Sequence, residues 1–149
     1  MNWTYIAGFF DGEGSITYNG KGFRITIPQT NEEVLLSIKK FTGYGNIIYI
    51  AKRKSHWSDS WSYYVAKQTE VYDFVKKVKP FVIVKKYLII KANLELKNIV
   101  NNQKLKKKLY FYRKKEIKNL RNKGLTYREI GRKLKIDWGY VRRLNLDLN

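Results

Sequence analysis

Between Ile6 and Ser15 the chain reads Ile6-Ala7-Gly8-Phe9-Phe10-Asp11-Gly12-Glu13-Gly14-Ser15, and its two acids, each followed by a glycine, are the first candidates for chemistry. Carboxylate and main-chain oxygens are hard donors suited to divalent cations. A cation so held activates water without help from a thiol or an imidazole. That suits a chain with no cysteine and one histidine, His56. The same counts exclude disulfide scaffolds, thiol catalysis and nearly every zinc site built from Cys and His. A calcium loop starting at Asp11 fails, because its sixth-position glycine would be Ile16. Asp11 and Glu13 are also readable as plain turn residues at a glycine-rich boundary.

The elements that must position these acids follow from periodicity. Trp3 to Asp11 predicts a short helix, capped by Asn2 or Thr4 and stopped by Gly12 and Gly14. Its Ala7, Gly8, Asp11 and Gly12 share one side, where a second backbone can approach closely. From Ser15 to Ile27 the period becomes two around an Asn19-Gly20-Lys21-Gly22 turn, which predicts a hairpin. Asn31 with Glu32 and Glu33 opens a second helix, which Gly43 ends. Asn46 to Lys54 and Trp61 to Lys67 predict a second strand pair, joined by a polar loop. Thr69 is the expected cap of a third helix ending at Pro80, and another helix is expected over 85–100. The fold class is therefore α+β, with four antiparallel strands in one sheet and helices on one face.

The 149 residues carry 31 Lys+Arg against 12 Asp+Glu, a formal charge of +19. A hydrophobic share of 44% supplies a core, which excludes a disordered basic tail. No apolar run is long enough to span a bilayer, and no basic-then-apolar leader opens the chain. An intracellular protein, cytoplasmic or in an organellar matrix and not secreted, is expected, with nucleic acid as its polyanionic partner and no membrane. Charge is denser in residues 101–149, with 16 Lys+Arg against 4 Asp+Glu. The run Asn101-Asn102-Gln103-Lys104 and Lys106 to Lys108 reads as a helix end or linker between two regions.

The exposed face of the sheet offers Thr17, Asn19, Arg24 and Thr26 from the first hairpin, and a register-dependent choice among Lys52, Arg53, Lys54, Tyr63, Tyr64 and Lys67 from the second. Arg and Lys read guanine in a major groove and Asn reads adenine. The plainer reading is a solvated face on which lysines discourage edge aggregation.

Residues Ile6 to Ser15 resemble the signature of the LAGLIDADG homing endonucleases, with Phe9 and Phe10 as apolar replacements within it. The resemblance covers roughly residues 3–100 and implies an αββαββα core with a saddle-shaped sheet on double-stranded DNA. It implies that Glu13 is the metal-binding carboxylate, with the Gly12 main chain beside it and Asp11 as a supporting acid. Gln29 falls where single-motif members place a water-orienting residue, and Lys85 where they place a lysine beside the scissile phosphate. One motif copy in this length implies a homodimer paired along Ala7, Gly8, Asp11 and Gly12. That dimer cuts both strands of a near-palindromic target with Mg2+, leaving short 3′ overhangs, and Mn2+ or Ca2+ also fits such a site. The alternative is a non-cleaving binder: a maturase acting on its own intron RNA, or a transcriptional regulator.

Residues 1–105 form the endonuclease domain in this reading, and 106–149 a module similar to a helix-turn-helix. In that module Glu116 to Lys123 is helical, Gly124 breaks it, and Thr126-Tyr127-Arg128-Glu129 is a capping box opening the next helix. Asp137 caps a last helix, with Tyr140, Arg142 and Arg143 outward and Arg128 a further DNA contact.

Overall fold

Residues 1–146 are described by a computed structural model, in which Asn2 starts the first helix, α1 (Trp3–Glu13), by accepting the Tyr5 N–H at 2.8 Å. The helix does not stop at Asp11. It runs through Gly12 to Glu13, because burial of Ile6, Ala7 and Phe10 on its inner side outweighs the roughly 1 kcal/mol that a helical glycine costs. Gly14 ends it with an N–H bond to the Phe10 carbonyl at 2.9 Å.

Strands β1 (Ser15–Tyr18) and β2 (Phe23–Gln29) form the expected hairpin. Helix α2 (Glu32–Thr42) is capped by Asn31 and closed by Gly43 in the left-handed region at φ 77°. Strands β3 (Asn46–Ile50) and β4 (Ser60–Val65) complete one antiparallel sheet in the order β1-β2-β4-β3. Helix α3 (Gln68–Val78) follows. Phe23, Ile25, Ile27, Tyr63 and Val65 on one face of the sheet join Phe10, Leu35, Ile38 and Phe74 from the helices in a single core. In β2 the buried Phe23, Ile25 and Ile27 alternate with the more exposed Arg24, Thr26 and Pro28, as period-two alternation requires.

The second hairpin is shorter than its sequence suggests. β4 begins at Ser60, opposite Ile50, so residues beyond Ile50 have no ladder partner, and Lys52, Arg53 and Lys54 lie in the connecting loop. Lys67 is the N-cap residue of α3, and Thr69 lies inside the helix. The Gln68 side chain does a strand's work at this point: its Oε1 accepts the Phe23 N–H at 2.9 Å, while its Nε2 donates to the carbonyls of Phe23 at 2.8 Å and Ala66 at 2.7 Å.

Helix α4 (Lys86–Asn122) overturns the expected helix end near Asn101 and the separate helix from Glu116. No glycine or proline occurs between Lys86 and Asn122, and Asn, Gln and Lys cost a helix only about 0.7 kcal/mol each or less. The chain divides into two units, 1–101 and 102–149, inside this helix. In the second unit Ile117 and Leu120 of α4 pack with Ile130 of α5 (Tyr127–Leu134) and with Val141 and Leu144 of α6 (Trp138–Leu146). The Thr126–Glu129 capping box opens α5, and Asp137 caps α6 by accepting the Tyr140 N–H at 2.9 Å.

Candidate active site

Glu13 occupies the last position of α1, exposed, and its carboxylate has no hydrogen-bond or ion-pair partner among the described residues. Asp11, two residues earlier, is spent differently. Its Oδ2 accepts the N–H groups of Ile83 and Val84 at 2.6 and 2.8 Å, and its Oδ1 that of Lys85 at 2.8 Å. Burial alone would raise this carboxyl, but the three N–H groups and the Lys85 charge outweigh it and hold Asp11 below the ordinary carboxylate range. Asp11 is therefore an anchor for the segment entering α4.

Lys85 returns the contact. Its ammonium donates to the carbonyl of Phe10 at 3.3 Å, to that of Asp11, and to that of Gly12 at 3.4 Å, so a positive charge sits on the exposed carbonyl end of α1. Lys85 and the motif exit are thus brought together. Gln29 is not joined to them by any hydrogen bond among the described residues; its Oε1 accepts from the Thr30 N–H at 2.8 Å and faces the α2 approach, leaving its NH2 group unpartnered.

The helix side expected to meet a second copy divides. Gly8 and Gly12 are exposed, and a methyl group built on either would meet nothing within 4 Å. Ala7 is fully buried in its own chain's core and does not belong to that open side, while the carboxylate of the half-buried Asp11 is engaged by main-chain N–H groups. The helical period explains it: Ala7 follows Ile6 directly and lies about one turn before Phe10 on the inward stripe.

On the outer face of the sheet Thr17 stands opposite Arg24, and the Ser15 and Thr26 hydroxyls bond at 2.7 Å. Asn19 closes the hairpin turn, its Oδ1 accepting the N–H groups of Lys21 and Gly22. Lys67 is paired with Glu70 at 3.0 Å, at the start of α3 and off the sheet. Lys54 lies over the Trp57 ring at 5.4 Å in the loop, where Lys52 and Arg53 are also exposed. Tyr63 is a correction: it is fully buried on the core face, its hydroxyl bonded to Thr42 at 3.0 Å and to the Tyr44 carbonyl at 3.2 Å. Burial pushes that hydroxyl's pKa up to about 12. By parity Tyr64, Ser62 and Ser60 face outward from β4, alongside Asn46, Ile48 and Ile50 of β3. Sequence reading missed the β3 residues because Ile47-Ile48-Tyr49-Ile50 has no alternation to say which side is which.

In the second unit Arg142 and Arg143 are exposed on α6, and Arg128 lies over Trp138 at 5.9 Å. Tyr140 is half-buried against the second core instead of outward, with Arg143 over its ring at 5.9 Å. No helix among the described residues is long and apolar enough to cross a membrane.

The model of a LAGLIDADG-like domain matches residues 3–79, just over half of the chain. The chain belongs to the LAGLIDADG family. The archaeal intron-encoded homing endonuclease I-Vdi141I, solved with DNA, is 24% identical over 99% of this chain and 97% of its own, with a TM-score of 0.51. The meganuclease I-AabMI, solved on uncleaved DNA, is 25% identical over 70% of this chain and 39% of its own, with a TM-score of 0.55. The homing endonuclease I-CvuI, solved on a DNA target with Mg2+, is 21% identical over 66% of this chain and 68% of its own, with a TM-score of 0.51. No curated protein matches in a sequence comparison. The homing-endonuclease fold is thereby established.

Within this LAGLIDADG fold the donors that suit a hard divalent cation are the free Glu13 carboxylate and the neighbouring Gly12 carbonyl. Among the described residues no three Asp, Glu, His or Cys side chains cluster.

Proposed function

We propose that this LAGLIDADG protein is a site-specific homing endonuclease that binds a long near-palindromic duplex as a homodimer and hydrolyses both strands with divalent metal, leaving short 3′ overhangs. The observation that carries the reading is the exposed, unpartnered Glu13 carboxylate beside a helix side left open at Gly8 and Gly12. Two copies of α1 packed along those glycines bring two such carboxylates to one dyad, and two-fold protein symmetry asks for a palindromic target. The charge of +19, and relatives solved on DNA, support a duplex as the partner.

A divalent ion held by Glu13 and the Gly12 carbonyl, with Mg2+ the expected one, activates water and neutralises phosphate charge when bound. Lys85, already at the Gly12 carbonyl, presents a cation to the negative charge that develops on the phosphate. The free NH2 group of Gln29 orients water. Arg24 with Thr17 and Thr26 lies in the groove, and the loop cations Lys52, Arg53 and Lys54 hold phosphates. The second unit acts as a helix-turn-helix module, with Arg142 and Arg143 on α6 toward bases and Arg128 toward the backbone.

The deciding experiment is cleavage of a library of near-palindromic duplexes by wild-type protein and Glu13→Gln, with Mg2+ or with EDTA. Metal-dependent double-strand cuts at one site, lost in Glu13→Gln while binding persists, are expected. Binding without cutting across several divalent metals overturns the nuclease and leaves a maturase or regulator.

A further inference from the structure

The outer face of β3 is apolar where an edge strand is ordinarily polar. Asn46, Ile48 and Ile50 point to the outer face, opposite Tyr64, Ser62 and Ser60 of β4, and Ile48 and Ile50 are 46% and 40% exposed. An exposed edge strand rich in isoleucine invites aggregation, and proteins usually blunt such edges with lysine or proline. This chain has lysines in abundance but places them at Lys52 and Lys54, directly after the strand. A row of apolar side chains bordered by phosphate-seeking cations fits a surface that is both anionic and locally apolar.

We infer that Ile48 and Ile50 determine target sequence by packing on thymine methyl groups in the major groove, so that the base pairs under β3 are A·T. The inference rests on the endonuclease reading above, which puts this face of the sheet on DNA. The C5-methyl of thymine is the one apolar group that the major groove displays. Alternate strand residues are about 6.8 Å apart, which is about two base-pair steps, so Ile48 and Ile50 meet thymines two steps apart. Asn46, the next outward residue along the strand, has the side chain that pairs bidentately with adenine. Arg24, on the same face but two strands away, is the side chain suited to guanine. Charge complementarity favours DNA over a second copy of the chain as the occupant, because the protein carries a charge of +19 and the Lys52–Lys54 cations border this face.

The test begins by selecting duplexes from a randomised library with full-length wild-type protein in Ca2+, then replacing each thymine of the selected duplex singly by uracil, which removes only the methyl. Two positions per half-site, two steps apart, should each lose affinity about four-fold, the worth of one buried methyl. Ile48→Ser should abolish the loss at one of them and Ile50→Ser at the other. Uniform indifference of the wild type to uracil overturns the inference without needing either variant to fold. So does a change of oligomeric state in Ile48→Ser with unaltered base preference, which would assign the face to a second copy. Failure of the endonuclease reading is distinct: no duplex is enriched and none is cut with Mg2+, and the inference falls with it.

Discussion

Asp11 and Lys85 bind each other in opposite directions: the Asp11 carboxylate accepts the Lys85 main-chain N–H at 2.8 Å, while the Lys85 ammonium donates to the Asp11 main-chain carbonyl. Each residue caps the other's helix. Asp11 supplies the acceptor for the free N–H groups preceding α4, and Lys85 the cation for the free carbonyls ending α1. The position of Glu13 is fixed from both sides by this exchange. Asp11→Ala should cost about 1–3 kcal/mol, toward the lower end because water reaches Ile83 and Val84. Lys85→Met, which keeps the stem, should cost about 0.3–1 kcal/mol. Urea midpoints of the two variants check the order, and an Asp11→Ala midpoint equal to wild type would remove the tie from the account of stability.

Gly8→Leu separates folding from pairing. A Cβ at this position meets nothing within 4 Å in its own chain, and Leu is a better helix former than Gly by up to about 1 kcal/mol, so the monomer should fold with equal or greater stability. Sedimentation should show a monomer, and cutting should be lost. An intact Gly8→Leu dimer would place the pairing surface elsewhere.

Tyr63→Phe tests the assignment of Tyr63 to the core. The change removes bonds to Thr42 and to the Tyr44 carbonyl, with an expected cost of about 1 kcal/mol in thermal unfolding. Duplex affinity should stay within about two-fold of wild type, since the hydroxyl lies on the side away from the outer face. A larger loss of affinity without a loss of stability would contradict that placement.

Lys135 ends α5 with φ 53°, the left-handed region in which a non-glycine side chain costs about 1–2 kcal/mol. Lys135→Gly should therefore raise the stability of the second unit by something under that amount, after the greater freedom of glycine in the unfolded chain is set against it. A calorimetric transition shifted downward would refute this.

The Glu129 carboxyl lies below its ordinary value because the Thr126 hydroxyl, and then the Thr126 N–H, bond its charged form. A folded-state pKa below the unfolded one gives stability that is fully present above about 4.5 and is lost as pH falls through the lower folded value. Carboxyl chemical shifts followed from pH 7 to 2 should show Glu129 titrating below its unfolded value, and Thr126→Ala should return it toward 4.5. An unchanged titration in Thr126→Ala would deny the capping box a role.

What was legible in the sequence was what local rules write into it. The Asn31 and Thr126 caps, the Gly43 stop and the alternation from Phe23 to Ile27 all act within a few residues, and all appear as expected. The family signature singled out Glu13, although the helix that carries it was expected to stop at Asp11. Illegible were relationships across long separations. Nothing near Asp11 says that its partners lie 72 to 74 residues onward, and nothing in a run of four apolar residues says which of them faces out. The unbroken α4 was hidden for another reason: Asn and Lys look like a boundary, yet each costs a helix little when no glycine or proline accompanies them.

The Gln68 clasp on Phe23 bears on the cost of recognition. A side-chain amide that bonds both main-chain groups of Phe23, with Gly22 pressed against it so closely that a Cβ would overlap, leaves the root of the β1–β2 turn few conformations to lose. The entropy of ordering that hairpin is spent when the chain folds, not when a ligand arrives. The main chain leading into Arg24 is therefore set in advance, and an encounter made through this hairpin asks for no reordering of its root.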